Sequence, residues 1–415
     1  MAKRFTSYIL AAMVLGVLTG WLLNKNVTDP DTLARLGSHF SIVTDIFLRL
    51  IKMIIAPLVF STLVVGIAHM GNTASLGRVG LRTFAWFVMA SVISLLLGIV
   101  MVTAFEPGAS LSLPLPPADA TAGIQATGLT LKEFITHLVP RSAAEAMANN
   151  EILQIVVFSI FFGVGLAAVG EKGRFLLQAI DGLVEVMLKV TGYVMLVAPL
   201  AVFAAVAATV TTQGLGILLT YGKFIGSFYL SIGILWVILM LLGRLVLGKR
   251  VRQLIREIRE PVLLAFSTAS SEAAYPRTLE ALERFGASKR ISSFVLPLGY
   301  SFNLDGSMMY CTFATLFIAQ AYGIDLTLGQ KLTMLLLLMV TSKGMAGVPR
   351  ASLVVIAATL SFFHIPEAGL LLVLAVDHFL DMGRSATNVV GNSIATAVVA
   401  KWEGELGPGE SREAA

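Results

Sequence analysis

The stretch Asp377-His378-Phe379-Leu380-Asp381-Met382-Gly383-Arg384-Ser385-Ala386-Thr387-Asn388-Val389-Val390-Gly391-Asn392 lies inside an apolar run that extends from Ala368 to Val399. Its polar residues Asp377, Asp381, Arg384, Asn388 and Asn392 are spaced by four, three, four and four positions. At about 100° per residue these steps put all five on one narrow face of a helix. Charges at membrane depth are costly and mark a substrate or ion path with partners close by. A structural Asp381–Arg384 pair that glues helices together accounts for two of the residues but not for the whole stripe. An arginine offers a planar fork matched to a carboxylate, and an aspartate one turn away offers an acceptor for an ammonium group. Together they describe a zwitterion with an extra carboxylate, which is an acidic amino acid.

The rest of the chain supplies the membrane that this reading needs. Of its 415 residues, 56% are hydrophobic and only 13% charged. The mean hydropathy is +0.84, far above that of a soluble chain of this size. The net charge of +5 is read as topology and not as a nucleic-acid partner, because Lys and Arg concentrate in cytoplasmic loops. Cys311 is the single cysteine, so neither an intramolecular disulfide nor a thiolate metal cluster is expected.

Eight runs are long enough to cross a hydrocarbon core of roughly 30 Å. They are Tyr8–Leu23, Phe40–Ala68, Thr83–Phe105, Leu153–Val169, Val194–Thr209, Phe224–Leu247, Ile291–Ala321 and Ala368–Val399. The first follows Lys3 and Arg4 as a signal peptide would, but no short A-x-A site ends it, so it reads as a transmembrane helix. Arg78 and Arg82, Lys172 and Arg174, and the cluster Lys249, Arg250, Arg252, Arg256 and Arg259 fall where this count predicts cytoplasm. Both termini are therefore expected inside, in a multi-pass protein of the cell inner membrane. Residues 106–150 read as an external loop region with some helix, Phe175–Val190 as an amphipathic continuation of the fourth helix, and Glu403–Ala415 as a polar, disordered cytoplasmic tail.

Two further apolar segments are each interrupted halfway. One runs Pro261–Phe266, breaks at Ser267-Thr268-Ala269-Ser270-Ser271-Glu272 and resumes after Pro276 with a charged arm. The other runs Leu332–Val340, breaks from Thr341 to Arg350 and resumes at Leu353–Phe363. Each reads as a helix-loop-helix that enters and leaves by the same side. Irregular backbone at membrane depth is tolerated only beside protein or a water-filled cavity, so paired interruptions point to a midplane site. Two kinked full spans are the bland alternative, and the charged arm after Pro276 fits a span poorly. The seventh run is itself broken by Ser301-Phe302-Asn303-Leu304-Asp305-Gly306-Ser307, where Gly and Asn release carbonyls from helical bonding. Asn, Asp and Gly are also ordinary turn residues, and it is their place inside an apolar span that carries weight.

These motifs resemble the dicarboxylate/amino acid:cation symporter family, to which the glutamate transporters belong. The resemblance covers nearly the whole chain. It rests on Ser270-Ser271, on Asn303-Leu304-Asp305-Gly306-Ser307, on Gly344 to Pro349, and on Asp381-Met382-Gly383-Arg384 with Asn388. It implies an all-α membrane fold with inverted repeats, eight transmembrane helices and two re-entrant hairpins, assembled as a homotrimer. It also implies a scaffold at 1–70 and 151–213, and a mobile transport domain from helix 3 at 76–105 and from 219–402, followed by the tail at 403–415. The transport domain moves like an elevator, and the second hairpin is the external gate, with Gly344, Gly347, Pro349 and Arg350 at its tip.

Carried over by position, the resemblance assigns Arg384 to a side-chain carboxylate and Asp381 to the ammonium group. Asn388 and the Ser271 amide go to the main carboxylate, with Ser270 beside them. Ser307 stands where the family usually has Thr; Val348 offers a carbonyl, Ser352 an amide, and Ser385 adjoins Arg384. The presence of Asp381 favours glutamate and aspartate over C4-dicarboxylates, which lack an amino group.

Departures bear on the co-transported ion. Sodium-coupled relatives have Asp, Tyr and Thr at the positions of Asn392, Phe87 and Ala90, whereas Ser91, Asn303 and Asp305 are kept. Lys343 and Met345 occupy another sodium site, and the pattern Thr341-Ser342-Lys343-Gly344 is similar to the proton-coupled bacterial glutamate carriers. Proton symport is therefore the expectation, with sodium as the alternative. Cys311 stands where a proton-carrying Glu is found in some relatives, which leaves Glu272 or Asp305 as the carrier. Arg350 is the candidate for a second substrate-facing cation, since Ala269 and Met382 stand where relatives place one.

An anion channel and a membrane enzyme are the readings from other classes. The five histidines, His39, His69, His137, His364 and His378, sit in no catalytic or metal-ligand spacing, so no enzyme activity, cofactor or metal is expected.

Overall fold

The computed structural model describes residues 2–68, 73–109, 115–116, 136, 139–216, 220–341 and 351–408. The expected tip residues Lys343, Gly344, Gly347, Val348, Pro349 and Arg350 lie outside the described residues, as do His69 and His137.

The described residues form sixteen α-helices, with short 3-10 turns between some of them. The first half holds α1 (Ala2–Asn26), α2 (Pro30–Ala68), α3 (Thr73–Phe105), α4 (Ala143–Ala148), α5 (Ile152–Val169), α6 (Arg174–Met195) and α7 (Ala198–Gln213). The second holds α8 (Gly222–Leu247), α9 (Val251–Thr268), α10 (Tyr275–Phe285), α11 (Lys289–Phe302), α12 (Asp305–Ala321), α13 (Leu328–Thr341), α14 (Ala351–Phe362), α15 (Leu370–Leu374) and α16 (Asp377–Trp402). Asp29 caps α2 by accepting the Thr32 amide at 3.0 Å, with Pro30 at the first helical position. The Thr32 hydroxyl also bonds the Asp29 carboxyl, and these bonds hold it below its ordinary pKa.

Among the described residues, five helical stretches are long and apolar enough to cross a membrane by themselves: Ser7–Asn26, Pro30–Ala68, Leu76–Phe105, Ile152–Met195 and Gly222–Thr268. The other expected crossings have physical reasons to look weaker. Helix α7 is only 16 residues long, the seventh run is divided between α11 and α12, and α16 carries the polar stripe. Helix α6 continues α5 through one 3-10 turn at Gly170–Gly173, and its Asp181 and Glu185 each lie 3.6 Å from Lys289.

Two packing groups stand out. Helices α1 and α2 pack on α7, and α2 also packs on α5 and α6. Helix α16 packs on α8, α9, α11 and α12, with α3 against α12. Helix α16 is buried from Ser385 to Ala400 and forms the axis of the second group.

Several boundaries differ from the sequence reading. Helix α9, the first arm of the expected first hairpin, starts at Val251, ten residues before Pro261, because Arg252, Arg256 and Arg259 are exposed while Leu254, Ile258, Leu264 and Ala265 are buried and the buried Glu257 and Glu260 pair with Arg284 and Arg277. The arm ends at Ala269, whose φ of +49° turns the chain, and the return arm begins at Tyr275. The break in the seventh run narrows to Asn303 and Leu304, since Asp305 to Ser307 are already helical. The last run is two helices, α15 and α16, and the second starts at Asp377.

Residues 403–408 of the tail expected to be disordered are held against the rest of the fold. The Ser288 amide donates to the Glu405 carbonyl at 3.1 Å, the Gly407 amide donates to the Gly286 carbonyl at 2.8 Å, and Ala287 and Leu406 form a β-bridge. Arg78 and Arg82 pair with Glu403 at 3.0 and 2.9 Å, and Arg290 pairs with Glu405. Cations from two distant segments thus fix a stretch that is polar when read alone.

Candidate functional site

The site forms where α16 crosses the break between α11 and α12. The final bond of α11 runs from the Asn303 amide to the Gly299 carbonyl at 2.8 Å, and the Met308 amide bonds the Leu304 carbonyl at 2.9 Å to begin α12. Asn303 and Leu304 adopt ψ near 60°, outside helical geometry. The first amides of α12 have no helical partner of their own and carry the positive end of its dipole. Asn388 meets them from α16: its Oδ1 accepts the Gly306 amide at 2.9 Å and the Ser307 amide at 3.3 Å.

Ser307 then joins this cap to the charges. Its Oγ accepts Asn388 Nδ2 at 3.2 Å and Arg384 Nη1 at 3.1 Å. Arg384 Nη1 also donates to Ser352 Oγ on α14 at 3.3 Å, and its Nε donates to Asp381 Oδ1 one turn away. Ser307, Ser352 and Asn388 are buried, whereas Asp381 and Arg384 keep 26% and 20% of their side-chain surface exposed. The ion pair is therefore enclosed by polar groups from three helices and still reachable.

One turn further into the bundle lies a second polar knot. Asn303 Nδ2 donates to Asp305 Oδ2 at 3.2 Å and to Asn392 Oδ1 at 3.1 Å, and Ser94 Oγ of α3 donates to Asp305 Oδ1 at 3.4 Å. Asn303, Asp305, Asn392, Ser91 and Ser94 are all buried. At the other end of the stripe the Tyr310 hydroxyl donates to Asp377. All five stripe residues thus lie along the broken helix, as their spacing requires.

Three glycines make this approach possible. A Cβ on Gly306 would overlap the Arg384 carbonyl, one on Gly299 would overlap Asn392 Oδ1, and one on Gly391 would overlap Asp305 Oδ2. The opposite face of α16 is braced by α8, where Tyr229 donates to the Phe379 carbonyl at 2.6 Å and Trp236 to Thr387 Oγ1 at 2.9 Å. Gly299, Gly391, Ser94, Tyr310 and Trp236 were not singled out from the sequence as parts of the site. The two glycines were detectable in principle, since glycine inside a helix is unfavourable unless backbone or polar groups must come close.

Not every expected residue joins the cluster. Ser270 Oγ accepts the Ala273 amide at 3.2 Å and closes the hairpin turn, with Ser271 half-buried beside it. Glu272 lies in a crevice lined by Ile55, Val59, Ile152, Tyr275, Pro297 and Tyr300, on the α2 side of the tip. Ser385 is fully buried next to Arg384, and its hydroxyl has no hydrogen-bond partner among the described residues.

Fold and site together define a helical membrane protein in which, among the described residues, an Asp381–Arg384 pair and an Asn303–Asp305–Asn392 knot lie along one buried helix. The chain belongs to the sodium:dicarboxylate symporter family, whose profile matches residues 5–402. It is 39% identical over 404 residues to the proton/sodium-glutamate symport protein of Bacillus caldotenax, covering 96% of this chain and 94% of that one. It is 43% identical over 405 residues to the proton/glutamate-aspartate symporter of Escherichia coli (strain K12), covering 95% and 92%. The C4-dicarboxylate transport protein of Bacillus subtilis (strain 168) is 39% identical over 417 residues, covering 99% and 96%. The family and these relatives are transporters and not enzymes.

Proposed function

We propose that this protein is a secondary active symporter of acidic amino acids, L-glutamate or L-aspartate, in the cell inner membrane, and that it is coupled to protons. The observation that carries the substrate reading is the Asp381–Arg384 pair, linked through Arg384 to Ser307 and Ser352. A substrate carboxylate entering here would take over guanidinium donors now spent on hydroxyls, and would free Asp381 to accept an ammonium group. A C4-dicarboxylate has no ammonium group for Asp381, so the second reading, supported by the name of the Bacillus subtilis relative, leaves this carboxylate without a role.

Proton coupling is supported by the inner knot. The Asn392 amide oxygen is matched to the Asn303 amide donor, so Asn392 brings an amide and not a second carboxylate to the knot around Asp305. Buried Phe87 and Ala90 of α3 carry no side-chain oxygen that could ligate a cation. Sodium coupling remains the alternative.

The scaffold would comprise α1, α2, α5, α6 and α7, and the transport domain α3 with α8 to α16. Three copies would associate through the scaffold, both termini would be cytoplasmic, and the second group would move as an elevator. In this reading Ser270, Ser271, Val348 and Ser385 complete the substrate shell, Gly344, Gly347, Pro349 and Arg350 form the gate, and Lys343 stands in for a bound sodium. The deciding experiment is uptake in proteoliposomes under an imposed pH gradient or an imposed sodium gradient, with glutamate, aspartate and succinate compared. Accumulation of glutamate driven by pH alone is the expected result. Accumulation only with sodium, or of succinate in preference to both amino acids, would overturn the respective part.

A further inference from the structure

Helix α8 has two faces with different tasks. Phe224, Phe228, Ile232, Leu235, Leu239 and Leu247 are buried against the bundle. On the other side Leu230, Val237, Leu241 and Leu245 are exposed, at spacings of seven, four and four, which is one helical face. At 26 residues α8 is about 39 Å long, more than a core of roughly 30 Å needs, and Arg244 in its last turn with Lys249 and Arg250 after it assign that end to the membrane–water boundary.

There the outward face meets α9 across the 3-10 turn Gly248–Arg250, where the chain bends through Gly248 at φ +61°. The bend opens a cavity of about 320 Å³ whose apolar wall includes Val237, Met240, Leu241 and Ile255. Its rim carries Arg244, Lys249 and Arg252. All three are exposed, and none forms an ion pair among the described residues. Their neighbour Arg250 is used differently, since its guanidinium covers the Phe285 ring and donates to the Phe285 carbonyl at 2.7 Å.

We propose that this groove between α8 and α9 is a binding site for an anionic phospholipid, with an acyl chain along Val237 and Leu241 and the headgroup phosphate among Arg244, Lys249 and Arg252. Charge complementarity identifies the occupant. The three unpaired cations converge at the depth of lipid headgroups, and the apolar wall runs from them toward the membrane interior. A zwitterionic lipid would fill the wall but leave the rim unneutralised. The inference does not depend on which solute or ion the protein carries. The groove joins a helix that braces α16 to the first hairpin arm, so a bound lipid would touch the moving half of the proposed elevator.

The test uses the full-length protein in nanodiscs of equal phosphatidylglycerol and phosphatidylcholine, with retained lipids read by native mass spectrometry. The wild type is expected to retain phosphatidylglycerol in excess. Arg244→Gln/Lys249→Gln/Arg252→Gln should lower that preference about five-fold per charge, or about a hundred-fold in all. Leu241→Trp, which keeps every charge and fills the groove, should lower it as well. Arg35→Gln/Lys172→Gln/Arg174→Gln, an equal loss of charge elsewhere, should leave it unchanged. The proposal fails if the wild type shows no preference, if the control triple lowers it as far as the groove triple, or if Leu241→Trp has no effect. It also fails if Leu241→Trp alters the oligomeric state without altering lipid retention, since a second copy would then occupy this face.

Discussion

Gly391 lies so close against Asp305 that a side-chain carbon on it would occupy the position of the carboxylate Oδ2. The absence of a Cβ on α16 is thus what admits the buried carboxylate of the broken helix. Gly299 repeats the relationship with Asn392, and Gly306 with the Arg384 carbonyl.

Gly391→Ala is expected to lower stability by about 1–3 kcal/mol, the usual cost of overpacking. Uptake should fall with it, because Asp305 and Asn303 must shift together. Gly165→Ala is the matched control: nothing lies within 4 Å of a Cβ there, so it should be neutral or slightly stabilising. Thermal melting of the purified variants, with uptake measured alongside, checks both. Equal behaviour of the two would mean that the close approach has no energetic consequence.

Arg384→Cys should abolish uptake of acidic amino acids while leaving expression and assembly intact, and it should allow neutral substrates to compete. Asp381→Asn should cost at least about 30-fold in glutamate affinity, the lower range for removing one partner of a desolvated charge contact. It should spare succinate, which has no ammonium group. Competition assays on both variants separate the two roles, and unchanged glutamate affinity in Arg384→Cys would remove Arg384 from the site.

The proton carrier can be tested at Glu272. Its crevice between the hairpin tip and α2 lies where the two packing groups meet, a place that would change surroundings if one group moved against the other. Glu272→Gln should preserve glutamate exchange and lose net uptake driven by a pH gradient. Full pH-driven accumulation in the variant would shift the assignment to Asp305, which Ser94 and Asn303 hold in the inner knot.

The ordered tail supplies a prediction about stability alone. Glu405 pairs with Arg290 and accepts the Ser288 hydroxyl, so Glu405→Ala should cost about 1.5–3 kcal/mol, as for hydrogen bonds to a charged group. Glutamate affinity should not change, because the tail touches none of the residues around Arg384. A lowered melting temperature with unaltered affinity is the expected pair of readings.

The sequence by itself determined the membrane environment and the polar axis. Apolar runs must be helical where water cannot satisfy the backbone, and spacings of three and four keep the stripe from Asp377 to Asn392 on one face. The interruption at Asn303 was legible for the same reason, since polar residues in an apolar span need a stated purpose. Tertiary structure alone decided which partners those residues take. Asn388 caps α12, Ser352 reaches Arg384 from α14, and Glu403 and Glu405 turn a polar tail into a fixed one. Such pairings join residues as far apart in the chain as Ser94 and Asp305, and periodicity records only the few residues of a helical turn. Gly391 lies between the two: the glycine is visible in the sequence, but the carboxylate that needs its space arrives from another helix.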